Sequence, residues 1–120
     1  TDKNYSIIHA LGGYDEISLT SDVKTFSNKG ESMYKVSDFG FEEISEEEIK
    51  GGVTVASSAE IFTNVLAGNG TIAQNNVVLC NAALGLKTID DSKTFADCYY
   101  EAEESLMSKK ALQAFTSLLN

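Results

Sequence analysis

Proline and tryptophan are absent from this chain of 120 residues, histidine occurs once and cysteine twice. Without proline, the turns fall to glycine, Asn, Asp and Ser. Two cysteines are too few for a disulfide framework. Cys80 and Cys98 both lie on apolar helical faces and read as small buried hydrophobes, in keeping with a reducing cytoplasm. Basic residues are scarce, 9 Lys and Arg against 18 Asp and Glu, for a net charge of -9. Binding a polyanion requires positive charge facing phosphates, so nucleic acid is excluded as a partner, and an anionic membrane surface on the same grounds. The apolar runs are only a few residues long, against the roughly 20 needed to span a bilayer. No basic-then-apolar leader pattern stands at the start, and there is no internal repeat or low-complexity linker.

What is present suits one globular domain with its own core: 42% hydrophobic and 22% charged residues. The first half reads as strands. Tyr5 to His9 is an apolar run, read as a buried strand, that enters a Gly12-Gly13 loop. Glu16 to Leu19 alternates polar and apolar, and so does Val23 to Phe26. Asn28-Lys29-Gly30 then turns a hairpin into Ser32 to Val36. Asp38-Phe39-Gly40-Phe41 is a turn with aromatic anchors. Five glutamates between Glu42 and Glu48 form a solvated face pinned by Ile44 and Ile49.

The second half reads as about four helices. Ser57 with Glu60 fits a capping box, and Gly68 closes that helix. Thr71 with Gln74 opens the next, with Val78, Leu79, Ala82, Ala83 and Leu86 as its apolar stripe. Asp91 or Ser92 starts a third, with Phe95, Cys98, Tyr99, Ala102 and Leu106 on one side. Ser108 caps a fourth, whose core face is Ala111, Leu112, Phe115, Leu118 and Leu119. Strands followed by helices give an α+β-like chain. As part of a longer protein, its strands would belong to a larger mixed sheet and leave an edge bare.

Between strand and strand lies the stretch that carries chemistry, Ile7-Ile8-His9-Ala10-Leu11-Gly12-Gly13-Tyr14-Asp15-Glu16-Ile17-Ser18-Leu19-Thr20. By itself an Asp-Glu pair after glycines is a solvated turn or a pair of hard oxygen donors for magnesium. The segment resembles the Val-Val-His-Gly-x-x-Gly-Leu-Asp-Glu-Ile-Ser segment of the anthranilate phosphoribosyltransferases. The resemblance continues in family order through Val36-Ser37-Asp38-Phe39-Gly40, Ile49-Lys50-Gly51-Gly52 and Val78-Leu79-Cys80-Asn81-Ala82-Ala83. It covers residues 5–120. The family's Gly-Thr-Gly-Gly-Asp, Asn-x-Ser-x-x-Thr and Lys-His-Gly-Asn segments and its N-terminal helical domain have no counterpart here. The resemblance therefore implies the C-terminal part of the phosphoribosyl-transfer α/β domain, a fragment inactive alone and prone to self-association.

The implied reaction moves a phosphoribosyl group from phosphoribosyl pyrophosphate to anthranilate in tryptophan biosynthesis, in a cytoplasmic homodimer. Asp15 and Glu16 match the acidic pair that carries Mg2+ against the pyrophosphate; the metal role belongs to the intact enzyme, and no catalytic or cofactor-binding residue is assigned in this chain. His9 is read as structural, Lys50-Gly51-Gly52 as a plain turn, and Ser18 and Thr20 as strand-surface hydroxyls. Asn81, an amide on an apolar stripe, is expected to tie a neighbouring backbone. Ala10, Gly12 and Ser21 depart from the family pattern, as does the run Val53 to Ser57. The rival readings are a nucleoside phosphorylase-like paralogue and a non-catalytic acidic interaction module.

Overall fold

The hairpin and the helix order of the sequence reading recur in the computed structural model, which describes residues 2–120. Strand β1 (Ser6–Ala10) pairs antiparallel with β2 (Val23–Ser27), and β2 with β3 (Gly30–Tyr34), in the order β1-β2-β3. The register runs Ala10 to Val23 and Val23 to Tyr34. Asn28 and Lys29 make the two-residue turn, and Gly30 at φ 115 takes a backbone that side chains resist. Two short 3-10 turns follow at Val36–Phe39 and Glu46–Ile49. Then come α1 (Val55–Leu66), α2 (Ile72–Ile89), α3 (Phe95–Met107) and α4 (Lys110–Ser117).

The main core lies between the sheet and α2. Val23 of β2, Ala10 of β1, Val36 and Phe39 of the first 3-10 turn meet Cys80 and Leu84 of α2 there. A chain of rings, Tyr34 to Phe39 to Phe95 to Tyr99 to Phe41, extends it to α3, with centroids 5.1–6.5 Å apart. A smaller cluster of Leu79, Ala102 and Leu106 joins α2 to α3. The Ser6 and Thr88 hydroxyls, 2.7 Å apart, tie the start of β1 to the end of α2.

Several expectations are corrected. Glu16 to Leu19 is not a strand; it is a loop whose apolar residues are nonetheless buried. The β1 strand is an edge and only half-buried, with Ile7 58% exposed. The capping box of α1 is Thr54 with Ser57: each side chain accepts a hydrogen bond from the other's backbone N–H at 3.0 Å, so Ser57 is the third helical residue and not the cap. Thr94 caps α3, because Asp90 Oδ1 instead accepts from the N–H and hydroxyl of Ser92 in a turn before it. Ser108 ends α3, and Lys109, in the left-handed region at φ 70, swings the chain into α4. On α2, Cys80 and Leu84 bury against the sheet and Leu79 and Ala83 are also buried, while Val78 and Ala82 are exposed.

The expected core face of α4 is also corrected: Ala111, Leu112 and Phe115 are half-buried, while Leu118 and Leu119 are exposed, since the helix ends at Ser117 and they no longer continue its face. The following assignments agree. Thr71 and Gln74 form the α2 capping box. Gly68, at φ 81, lies just past the end of α1. Both cysteines are free and fully buried, and Ile44 and Ile49 are half-buried at either end of an exposed acidic run. Among the described residues no helix is long and apolar enough to cross a membrane.

Candidate functional site

The loop from Leu11 to Asp22 joins two adjacent antiparallel strands with far more chain than a hairpin requires. Its start is a tight turn: Gly13 N–H donates to Ala10 O, and Ala10 N–H to Tyr14 O, both at 2.9 Å. Gly13 has φ 105, open to glycine at little cost. Leu11 N–H donates to Asp22 O at 2.9 Å, closing the loop at its base.

Gly12 and Ser21, two of the departures from the family pattern, meet each other. Gly12 N–H donates to Ser21 Oγ at 3.0 Å. A Cβ on Gly12 would stand 3.1 Å from that oxygen, so the small residue and the hydroxyl suit each other. Asp22 Oδ1 accepts from Val36 N–H at 3.3 Å and links the loop to the turn after β3. Ser21 and Asp22 carry structural roles that the sequence reading missed. The Ser-Asp pair just before a strand was the available signal, since both side chains bond readily to nearby backbone.

Asp15 and Glu16 stand at the outer end of the loop, both exposed. Neither carboxylate takes part in a hydrogen bond or ion pair among the described residues. Immediately behind them Ile17, Ser18 and Leu19 are buried to within 1%. Sinking Ile17 and Leu19 contributes about 1.5–3 kcal/mol each and anchors the acidic pair to the core. Leu19 adopts φ 61, a strained backbone for a non-glycine; its carbonyl accepts from Ile44 N–H at 2.9 Å. The Ser18 and Thr20 hydroxyls, 2.7 Å apart, bond each other. Ser18 is buried, not on a strand surface.

Asn81 provides the tether expected of it. From α2 its Oδ1 accepts from Ile17 N–H at 2.9 Å, and its Nδ2 donates to Ile17 O at 2.8 Å and to Val77 O at 2.9 Å. One amide thus satisfies both backbone groups of the residue that follows Glu16. Cys80, beside it, is fully buried, and burial pushes its thiol up to about 12. That marks it as an inert core residue rather than a nucleophile. His9 is exposed and makes no side-chain hydrogen bond among the described residues, so packing does not account for it. Gly52 packs on the first turn of α1, where a Cβ would come within 2.4 Å of Ser58 N. Gly52 is therefore a close-approach position, whereas a Cβ on Gly51 would meet open space.

Among the described residues no three His, Cys, Asp or Glu side chains converge. Two adjacent, exposed carboxylates match the way magnesium binds, through one or two carboxylates with the remaining positions left to water and substrate phosphates. The pair fits such an ion and does not form a closed protein cage.

Residues 2–112 match the family described as glycosyl transferase family, a/b domain. The anthranilate phosphoribosyltransferase of Christiangramia forsetii is 51% identical over 118 residues, covering 98% of this chain and 35% of that protein. That of Flavobacterium psychrophilum is 45% identical, covering 98% of this chain and 36% of its own length. The chain thus spans about a third of the length of the relatives it matches. Among solved structures, anthranilate phosphoribosyltransferase from Saccharomyces cerevisiae in complex with PRPP and Mg superposes with TM-score 0.79 at 22% identity, covering 90% of this chain and 31% of that one. The Thermus thermophilus enzyme gives 0.78 at 21% identity, covering 90% and 32%. At these identities the superpositions establish the fold.

Proposed function

The chain belongs to the glycosyl transferase family through its a/b domain, and on that premise we propose that it is the C-terminal part of an anthranilate phosphoribosyltransferase. The observation that carries this is the 51% identity across 98% of the chain to a protein of that activity. It is joined by an exposed acidic pair on a loop fixed to the core. On this reading the whole protein transfers the phosphoribosyl group of phosphoribosyl pyrophosphate to anthranilate. Cytoplasmic location and pairing of two copies come with the reading, the pairing through a helical region that these residues do not resemble.

Asp15 and Glu16 would hold the magnesium ion. When bound, such an ion neutralises the charge of the departing pyrophosphate as a Lewis acid and template. The chain's own part is positional. The Gly12-Gly13 turn lifts the pair out of the sheet edge, and Ile17 and Leu19 pin it from behind. Both carboxylates stay free of competing protein cations. Electrostatic stabilisation of this kind is preorganised, so little rearrangement is needed as charge develops.

In the full-length protein, Asp15→Asn and Glu16→Gln should each lower turnover roughly a hundredfold or more while leaving the thermal midpoint near that of the parent. Normal turnover of both variants at saturating magnesium refutes the metal assignment. Turnover of a nucleoside with phosphate in place of anthranilate with phosphoribosyl pyrophosphate identifies a phosphorylase-like relative instead. The isolated chain should consume no anthranilate above blank in a fluorescence assay; clear turnover overturns the fragment reading.

A further inference from the structure

We propose that Asn81 is a positioning residue for the transfer reaction: it fixes the Asp15–Glu16 pair to α2 and thereby sets where the two carboxylates meet the metal-bound pyrophosphate. The inference rests on the magnesium role proposed for that pair.

The geometry is specific. Ile17 N–H and C=O point to the same amide, at 2.9 and 2.8 Å, as they would to the backbone of a neighbouring strand. No strand is there: β1 pairs with β2 alone, and residues 16–19 have no sheet neighbour. A side chain 64 residues away in sequence does the work of a strand at one point. The third bond, Nδ2 to Val77 O at 2.9 Å, lies within α2 and fixes which way the amide faces. It leaves Oδ1 as the only acceptor for Ile17 N–H. Both N–H donors and the oxygen of the amide are therefore engaged in holding this orientation. Cys80 and Leu84 on the same helix share a core cluster with Ile17 and Leu19, so packing as well as hydrogen bonds joins helix and loop. Outer groups that orient metal-ligating residues alter metal affinity by about 10–100-fold when removed, although they touch neither metal nor substrate.

The test is magnesium binding to the full-length transferase with phosphoribosyl pyrophosphate present, read by isothermal titration calorimetry, beside the magnesium dependence of turnover at fixed substrate concentrations; both should shift together. Asn81→Ala should raise the half-saturating magnesium concentration about 10–100-fold while the KM for anthranilate stays within about twofold. Asn81→Gln, with the same amide on a longer arm, should fall between the parent and Asn81→Ala. Leu106→Ala, in the smaller core cluster away from the loop, controls for lost stability and should leave magnesium dependence unchanged despite a lower thermal midpoint. Should Asn81→Ala fail to fold, Asn81→Gln decides by the same readout. Magnesium dependence within twofold of the parent in the Asn81 variants, with Asp15→Asn strongly shifted, overturns the tether and leaves the metal reading standing. Unshifted dependence in Asp15→Asn as well means that the metal reading has failed first.

Discussion

The loop around Asp15 and the pair of helices α1 and α4 were built by the same chain to opposite specifications. Three consecutive residues behind the acids, Ile17 to Leu19, are buried to within 1%, and their backbone is bonded to α2 and to Ile44. Helix α1 buries only Val65, and α4 buries nothing. Instead, apolar side chains at and beside the helices meet water: Val53, Val55, Phe62, Leu118 and Leu119 are all about half exposed or more. An open apolar groove of about 490 Å³ runs along Val78, Ala82 and Leu86 of α2 towards Ala111 of α4. Helix α2 is covered on only part of its circumference: Leu79, Cys80, Ala83 and Leu84 are buried, while Val78, Ala82 and Gly85 are exposed. These residues complete the acid-bearing loop by themselves, while the helical layer keeps apolar surface open to water.

Ile17→Ala should cost about 2–4 kcal/mol of folding stability, since it empties a fully buried site. Leu118→Ala should change stability by less than about 0.5 kcal/mol, because Leu118 is 80% exposed. Urea denaturation of both variants decides; equal losses would mean that α4 is as integral as the loop.

Association tests the open side of the molecule. Exposed apolar surface and the unpaired edge of β1 favour contact between copies, and the net charge of -9 opposes it. Salt screens that repulsion, with a Debye length near 10 Å at about 0.1 M. Light scattering should therefore show more dimer or higher oligomer as salt rises. A strict monomer at high protein and high salt contradicts this, and would mean that α1 and α4 need no cover.

A smaller effect comes from pH. Burial pushes the Cys80 thiol up to about 12 from its ordinary 9.0. Burial also raises Tyr99 to about 12, with Cys80 and Glu103 adding to the shift. Both folded-state values lie above those of the unfolded chain. The stability these groups confer is whole below pH 9.0 and is lost as pH rises toward about 12. Cys80→Ala should flatten the alkaline fall of the urea midpoint. A slope identical to that of the parent would mean that this core admits the thiolate.

Much of this was legible in the chain, for reasons that differ by element. Thr71-x-x-Gln74 announced α2 because a capping box is local, set by residues three apart. The hairpin at Asn28-Lys29-Gly30 was local in the same sense. The alternation from Glu16 to Leu19 reads as a strand, and it is a loop whose Ile17, Ser18 and Leu19 are all buried. Periodicity reports which side chains face the core; it does not report which group will satisfy the backbone, and here that group is Asn81, in a distant helix. The α1 cap was displaced because Ser57 belongs to the capping box, but as its second member. The left-handed turn at Lys109 had no glycine to announce it. Asp15 and Glu16 stand out in the sequence through their flanking motif, and the structure adds their exposure and the buried residues behind them.

Native-state hydrogen exchange on the isolated chain, read residue by residue, tests most directly the claim that this loop is held by the chain's own residues while α1 and α4 are not. The Ile17 amide, buried and bonded to Asn81, should exchange with the slow class that includes the core of α2. Amides of α4 should exchange orders of magnitude faster, through local opening. An Ile17 amide exchanging as fast as those of α4 would contradict the account.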